Sequence, residues 1–422
     1  MRTQLYSIGA ILLSTAFLLL GNGLTGTLIP LRAHLNGFSD VEIGLMGSFY
    51  YAGFVAGCWL APRLLARVGH IRTFAVAAAL TAATVLLQPM LVNPVVWFVV
   101  RAAFGVCAAG VYMVIESWLN DRATNETRGR ILSAYVIVNL GSLMLGQWFL
   151  PLAPSQSFEL FSVAAILYAL CVVPVGLTAL PQPQTHAAPR LRFRRLLDVA
   201  PVGMAGVIAV GLANGAFWTL APVYATSLGF SSGGIALFMS AFIAGGTLIQ
   251  IPLGRFSDRL DRRWIIVTTC SSAALFGVAL AVLGETGMPV PWLLYPLALV
   301  FGASMLPLYS LSIAHANDRI ERSEFIEASA TLLLVNALAS VAGPSLAAVV
   351  TAHAGLAALF FYTAFIHVLM VLFTLTRIAS VRSWGGSRQE HFVSVPLAQA
   401  SPSAAELDPR APEHEAVQSQ AA

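Results

Sequence analysis

Few charged side chains fall inside the long apolar stretches of this chain, and those few are where chemistry could occur. Glu116 is the only carboxylate placed within such a stretch, with Asp40, Glu42 and Asp258 all near ends. A carboxyl held there can take up a proton on one side of a membrane and release it on the other; the alternative is a structural ion pair with Arg128 or Arg130. Arg101 lies in the same stretch, roughly 9 Å along a helix from its start at 1.5 Å per residue. An arginine at that depth costs at least about 2.5 to 3.5 kcal/mol on insertion scales and normally faces a bundle interior or water. It serves either to meet an anionic group on a solute or to brace helices through backbone carbonyls. Arg101 and Glu116 share nearly one helix face but stand some 22 Å apart along the axis, so they do not pair within the helix. His315 and His367 are lone histidines, read as packing or interfacial residues.

The elements that position these groups follow from composition. Of 422 residues, 58% are apolar and 10% charged, against roughly 25% charged in a soluble domain, which excludes a water-soluble globular protein. Twelve apolar stretches run at 8–29, 43–61, 73–92, 95–118, 131–152, 158–180, 199–222, 233–253, 264–284, 291–315, 328–350 and 355–376. Lipid admits only helices or closed barrels, and the period-two alternation of barrel strands is absent, so an all-α membrane protein with twelve transmembrane helices is predicted. The first stretch lacks a small-residue cleavage pattern and reads as a retained helix.

All 23 basic residues are arginine. They gather in alternate loops, at Arg63, Arg67 and Arg72; Arg122, Arg128 and Arg130; Arg190 to Arg195; Arg255 to Arg263; and Arg319 and Arg322, while the opposite loops hold Arg32 alone. This asymmetry predicts both termini in the cytoplasm, and it does not make the basic face interleaved with aromatics that nucleic acid requires. Cys58, Cys107, Cys171 and Cys270 show no metal or redox spacing. No cofactor or metal is expected, and without a Walker-type loop ATP-driven transport is disfavoured.

The chain repeats itself. Asn22-Gly23 and Thr27-Leu28-Ile-Pro30 return as Asn214-Gly215 and Thr219-Leu220-Ala-Pro222 at an offset of 192, which also maps Gly53 onto Gly245 and Arg63 onto Arg255. Past the third stretch the offset becomes 197, as if residues were inserted near 284–289, and maps Gly105 onto Gly302, Tyr112 onto Tyr309, Asn139 onto Asn336 and Gly146 onto Gly343. The predicted organisation is an amino-terminal six-helix bundle over 1–180, a cytoplasmic linker over 181–198, a carboxy-terminal bundle over 199–378, and a disordered cytoplasmic tail over 379–422. Two parallel repeats about an axis along the membrane normal are a transporter architecture, with the site near the midplane between them.

The loop Gly254-Arg-Phe-Ser-Asp258-Arg259-Leu-Asp261-Arg262-Arg263 resembles the G-x-x-x-D-R-x-G-R-R signature of the major facilitator superfamily, with Asp261 in place of the second glycine. Arg101-Ala-Ala-Phe-Gly105 is similar to that superfamily's R-x-x-x-G motif, and Glu116-Ser117 with Tyr309-Ser310 and Asn317-Asp318-Arg319 resembles its YcaD-like subgroup. In the first half the signature aspartate is Ala66, and Gly146-Gln147 stands where proton antiporters of the family tend to show Gly-Pro.

The resemblance implies a major facilitator fold and a cytoplasmic gate of Arg67, Arg130, Asp258, Arg259 and Arg263, in which Asp258 caps the start of the fifth helix near Arg130. It also implies a central cavity lined by the paired polar residues Asn22 and Asn214, Tyr112 and Tyr309, Asn139 and Asn336, together with Arg101 and Trp218; the alternative for the asparagines is interhelical bracing. Gly-rich segments of the first and seventh helices and Pro307 in the tenth mark expected bends. The resulting expectation is a monomeric secondary carrier in a bacterial inner membrane, moving a small solute by alternating access, with Glu116 as the proton-coupling candidate. The competing class is a membrane sensor that binds a solute without moving it; paired acid and base groups of an enzyme are absent.

Overall fold

The structure, a computed structural model, describes residues 2–124, 126–178, 183, 191–286, 291–380, 392–394 and 406–410. These are overwhelmingly helical, as a backbone in lipid must be, because a helix pairs its N–H and C=O groups within one segment. Six helices long and apolar enough to span a membrane make the first half: Ser7–Leu35, Asp40–Val68, His70–Met90, Pro94–Arg122, Arg128–Leu152 and Glu159–Gly176. Six more make the second: Pro201–Ser227, Ser232–Ser257, Arg262–Glu285, Trp292–Asn317, Phe325–Ala354 and Ala358–Ser380.

Most spans run a few residues past the apolar stretches, because polar caps continue them. Ser39 and Glu42 form a reciprocal capping box at the start of the second span, and Ser231 caps the eighth at the equivalent place. The turns just before both caps use Gly37 and Gly229 at φ 81° and 78°, a left-handed conformation that a side chain would strain. Pro307 divides the tenth span into helices Pro291–Met305 and Leu308–Asn317, since proline removes a helical donor and clashes with the preceding turn. Large apolar side chains such as Trp59, Ile137, Leu248, Ile251 and Phe365 are exposed, a surface suited to lipid tails.

The internal repeat extends to individual carbonyl oxygens. A Cβ added to Gly53 would lie 2.0 Å from the oxygen of Ala102, and one on Gly245 would lie 1.8 Å from the oxygen of Leu299. Gly105 meets the oxygen of Tyr50 at 2.1 Å, and Gly302 that of Phe242 at 2.0 Å. Gly146 meets Leu20 and Gly343 meets Leu212, both at 2.4 Å. In each case glycine and partner both follow the repeat, by 192 for residues up to the third span and by 197 for those beyond it. These glycines let the second and fourth, eighth and tenth, first and fifth, and seventh and eleventh spans pack backbone to backbone, the small-residue packing that lipid favours.

Between the halves, the second span packs on the eleventh, the fifth on the eighth and the first on the seventh. Ser48 and Ser345 hydroxyls share a hydrogen bond of 2.6 Å, and Ser240 donates to the Met144 carbonyl at 3.5 Å. Gly44 faces Pro344 and Ala348 so closely that a Cβ would clash with both. All these residues lie toward the span ends remote from the arginine-rich loops.

Most of the expected linker lies outside the described residues; its last part forms the short helix Phe193–Val199, and Arg192 pairs with Glu324 and Glu327. Most of the expected disordered tail also lies outside them, but two pieces rest on the arginine-rich end. The Phe392 amide donates to Asp258 at 2.7 Å, and Ser394 donates to Gln250. Further on, the Glu406 carboxylate accepts from Asn120 at 3.3 Å, Leu407 is fully buried, and the Arg410 guanidinium lies over the Phe325 ring.

Candidate functional site

A cavity of about 90 Å³ lies among the first, second, fourth, fifth and seventh spans. Its polar lining includes Asn22, Thr25, Tyr50, Arg101, Gln147 and Thr219, and its apolar wall includes Phe104 and Trp218. Of the eight residues expected to face a solute, Asn22, Arg101 and Trp218 therefore line it. Tyr112 stands directly behind, its hydroxyl accepting from the Asn22 amide.

The cavity floor is a hydrogen-bonded chain. Tyr168 of the sixth span donates to Asn22 Oδ1 at 2.6 Å, and its hydroxyl also lies 2.8 Å from the Thr25 hydroxyl. Asn22 thus has its carbonyl oxygen and its amino group both engaged, which fixes the orientation of the amide. Thr27 donates to Gln147 Oε1 at 2.5 Å, which orients a second amide and leaves its amino group for the cavity. One turn beyond Tyr112 on the fourth span, Glu116 is completely buried and accepts from the Tyr135 hydroxyl at 3.1 Å.

The other expected members are placed elsewhere. Asn336 donates to the Val207 carbonyl at 2.9 Å, bracing the eleventh span on the seventh. Asn214 and Tyr309 are buried in the second half, and Asn139 in the first, none of them lining this cavity. Thr25, Tyr50, Gln147 and Tyr168 have no identical mate in the repeat, whereas Phe104 has one in Phe301; Gln147 stood out, as an amide where a proline is common.

At the arginine-rich end Arg67, Arg130 and Arg259 are exposed and make no ion pair among the described residues. Asp258 meets Arg262 at 3.3 Å, and Arg262 reaches Asp318 at 2.8 Å, with only 1% of its side chain exposed. The carboxylate expected to cap the fifth span meets Arg262 and the Phe392 amide. Offset by 192, Asp258 and Arg262 correspond to Ala66 and His70. The first half has lost acid and base together, and His70 instead hydrogen-bonds Ser117 at 3.0 Å. Asp261, the residue replacing a glycine, caps the ninth span through the Arg263 amide and pairs with the Arg263 guanidinium at 2.7 Å. Burial pushes its carboxyl up, but these Arg263 contacts outweigh it and hold it below the usual carboxylate range.

A sequence profile of the Major Facilitator Superfamily matches residues 11–201 and 203–408. The chain belongs to the major facilitator superfamily. An uncharacterised MFS-type transporter of Enterobacter sp. (strain 638) is 28% identical over 378 residues, covering 87% of this chain and 96% of the relative. The uncharacterised MFS-type transporter YcaD of Escherichia coli (strain K12) is 27% identical over 380 residues, covering 88% and 97%. Among solved structures, a mutant of the nucleoside transporter NupG superposes with TM-score 0.74 at 12% identity, over 88% of this chain and 99% of that one. A bacterial homologue of the human lysosomal transporter Spinster, inward-facing and occupied, superposes at 0.72 with 11% identity, over 92% and 100%. At such identities the likeness is one of fold. This major facilitator protein is a multi-pass membrane transporter with YcaD-type relatives.

Proposed function

We propose that the chain is a secondary carrier of a bacterial inner membrane, with the arginine-rich end and both termini in the cytoplasm, moving a small solute by alternating access and coupling it to protons through Glu116. It works as a monomer. The observation that carries the reading is the cavity walled by spans of both halves, with Arg101 and two oriented amides in an otherwise apolar bilayer segment. Asn22 and Tyr112 lead from that cavity along the fourth span, and Glu116 lies one turn further on, bonded to Tyr135.

The test is flux in proteoliposomes with an imposed pH gradient. Saturable accumulation that collapses with the gradient is the expected result; binding without flux would instead make the protein a sensor. Glu116→Gln keeps an oxygen to accept the hydrogen bond from Tyr135 but has no titratable proton. It is expected to abolish gradient-driven accumulation while sparing solute exchange across vesicles, and unchanged pH-driven accumulation in Glu116→Gln would remove Glu116 from the coupling.

A further inference from the structure

We infer that the cavity selects a small organic monoanion, a carboxylate, held by Arg101. This rests on the carrier reading above and names the solute class for the same site.

Arg101 begins the case. Its guanidinium lies over the rings of Tyr50 and Phe104, 4.7 and 5.1 Å from their centroids. Among the described residues it has no carboxylate within ion-pair distance and no hydrogen-bond acceptor. Aromatic faces stabilise a cation but leave its planar fork of N–H donors unused. A guanidinium at membrane depth with unused donors is a receptor for a group that accepts two parallel hydrogen bonds, and a carboxylate is the compact organic group with that geometry.

The rest of the lining agrees in sign. No aspartate or glutamate lines the cavity, and Arg101 is its single cation. One cation matches one negative charge; a dianion would leave a charge uncompensated in a low dielectric. Gln147 adds an amino donor to the lining, its oxygen being taken by Thr27. The lining also holds Ile43, Met46, Leu143 and Trp218, which suit a hydrocarbon body. The cavity, about 90 Å³, suits a small solute.

The experiment is thermal stability and calorimetry of the full-length protein in detergent at pH 7, with butyrate, hexanoate and benzoate as probes. Benzyl alcohol and butyramide serve as neutral matches, butylamine as a cation and succinate as a dianion. The expected result is saturable stabilisation by the monocarboxylates alone. Arg101→Gln is expected to weaken it about ten- to a hundredfold, the worth of a charge-assisted hydrogen bond, and Arg101→Lys, which keeps the charge without the fork, to fall between. Equal stabilisation by neutral matches, or monocarboxylate affinity unchanged in Arg101→Lys and Arg101→Gln, would overturn the assignment. Flux of the same probes separates the two readings. Monocarboxylate binding without flux keeps this inference and removes the carrier, whereas flux of a neutral or cationic solute without monocarboxylate binding keeps the carrier and removes this inference.

Discussion

Gly245→Ala and its repeat mate Gly53→Ala are expected to lower sharply the yield of folded protein and its melting temperature in detergent. The added methyl carbon would begin 1.8 Å from the Leu299 oxygen in the first case and 2.0 Å from the Ala102 oxygen in the second. Backbone cannot rotate away as a side chain can, so the eighth and tenth spans, or the second and fourth, must separate along the contact. Overpacking of this kind costs about 1 to 3 kcal/mol and more where nothing yields. Gly105→Ala and Gly302→Ala press on the reverse side of the same crossings and are expected to behave alike. Gly141→Ala, with no atom within 4 Å of the new carbon, is the control and is expected to leave the melting temperature unchanged. Wild-type stability in Gly245→Ala would mean that the two helices do not approach so closely.

Arg262→Met is the second large effect. Its guanidinium is buried between Asp258 and Asp318, so its removal leaves two carboxylates facing each other without their cation. Breaking a buried ion cluster from one side typically costs about 3 to 5 kcal/mol. Asp258→Asn is expected to cost less, because Asp258 is partly exposed and Arg262 keeps Asp318. Thermal denaturation of both variants in one detergent checks the order; a milder effect for Arg262→Met would show that the cluster is solvated. His70→Ala in the first half should be mild by comparison, since His70 contributes a hydrogen bond to Ser117 and no ion pair.

Span number and the repeat were legible in the sequence because both have strict physical causes. Twenty apolar residues are needed to cross lipid, and a glycine that touches a carbonyl admits no other residue, so Gly53, Gly105, Gly245 and Gly302 mark their partners' positions as well as their own. The side each polar residue faces was less legible. A helix apolar on most of its circumference gives no moment from which to read its rotation, so Asn22 and Asn139 look alike in sequence although one lines the cavity. The repeat itself misleads here. It makes Asn214 the equal of Asn22, yet the cavity lies mainly in the first half, and Asn336 works as a brace. Asp258 shows the same limit: its loop motif was evident, but its partner, Arg262, follows only from the ion pair between them.

The two tail segments bear on energetics in another way. Phe392 and Ser394 hold to the second half, through Asp258 and Gln250, while Glu406 holds to Asn120 in the first. A segment attached to its own binding surface behaves as a ligand at roughly millimolar effective concentration, present at every turnover and independent of dilution. Within residues 406–410 themselves, Glu406 holds to Asn120 in the first half and Arg410 lies over Phe325 in the second, so movement of one half against the other strains or releases one of these contacts, and the chain carries its own bias toward the arrangement described. A protein shortened to end after Ser380, or fused to a tag there, therefore begins from a different conformational balance, and its apparent solute affinity would shift by the fraction of molecules that balance makes competent.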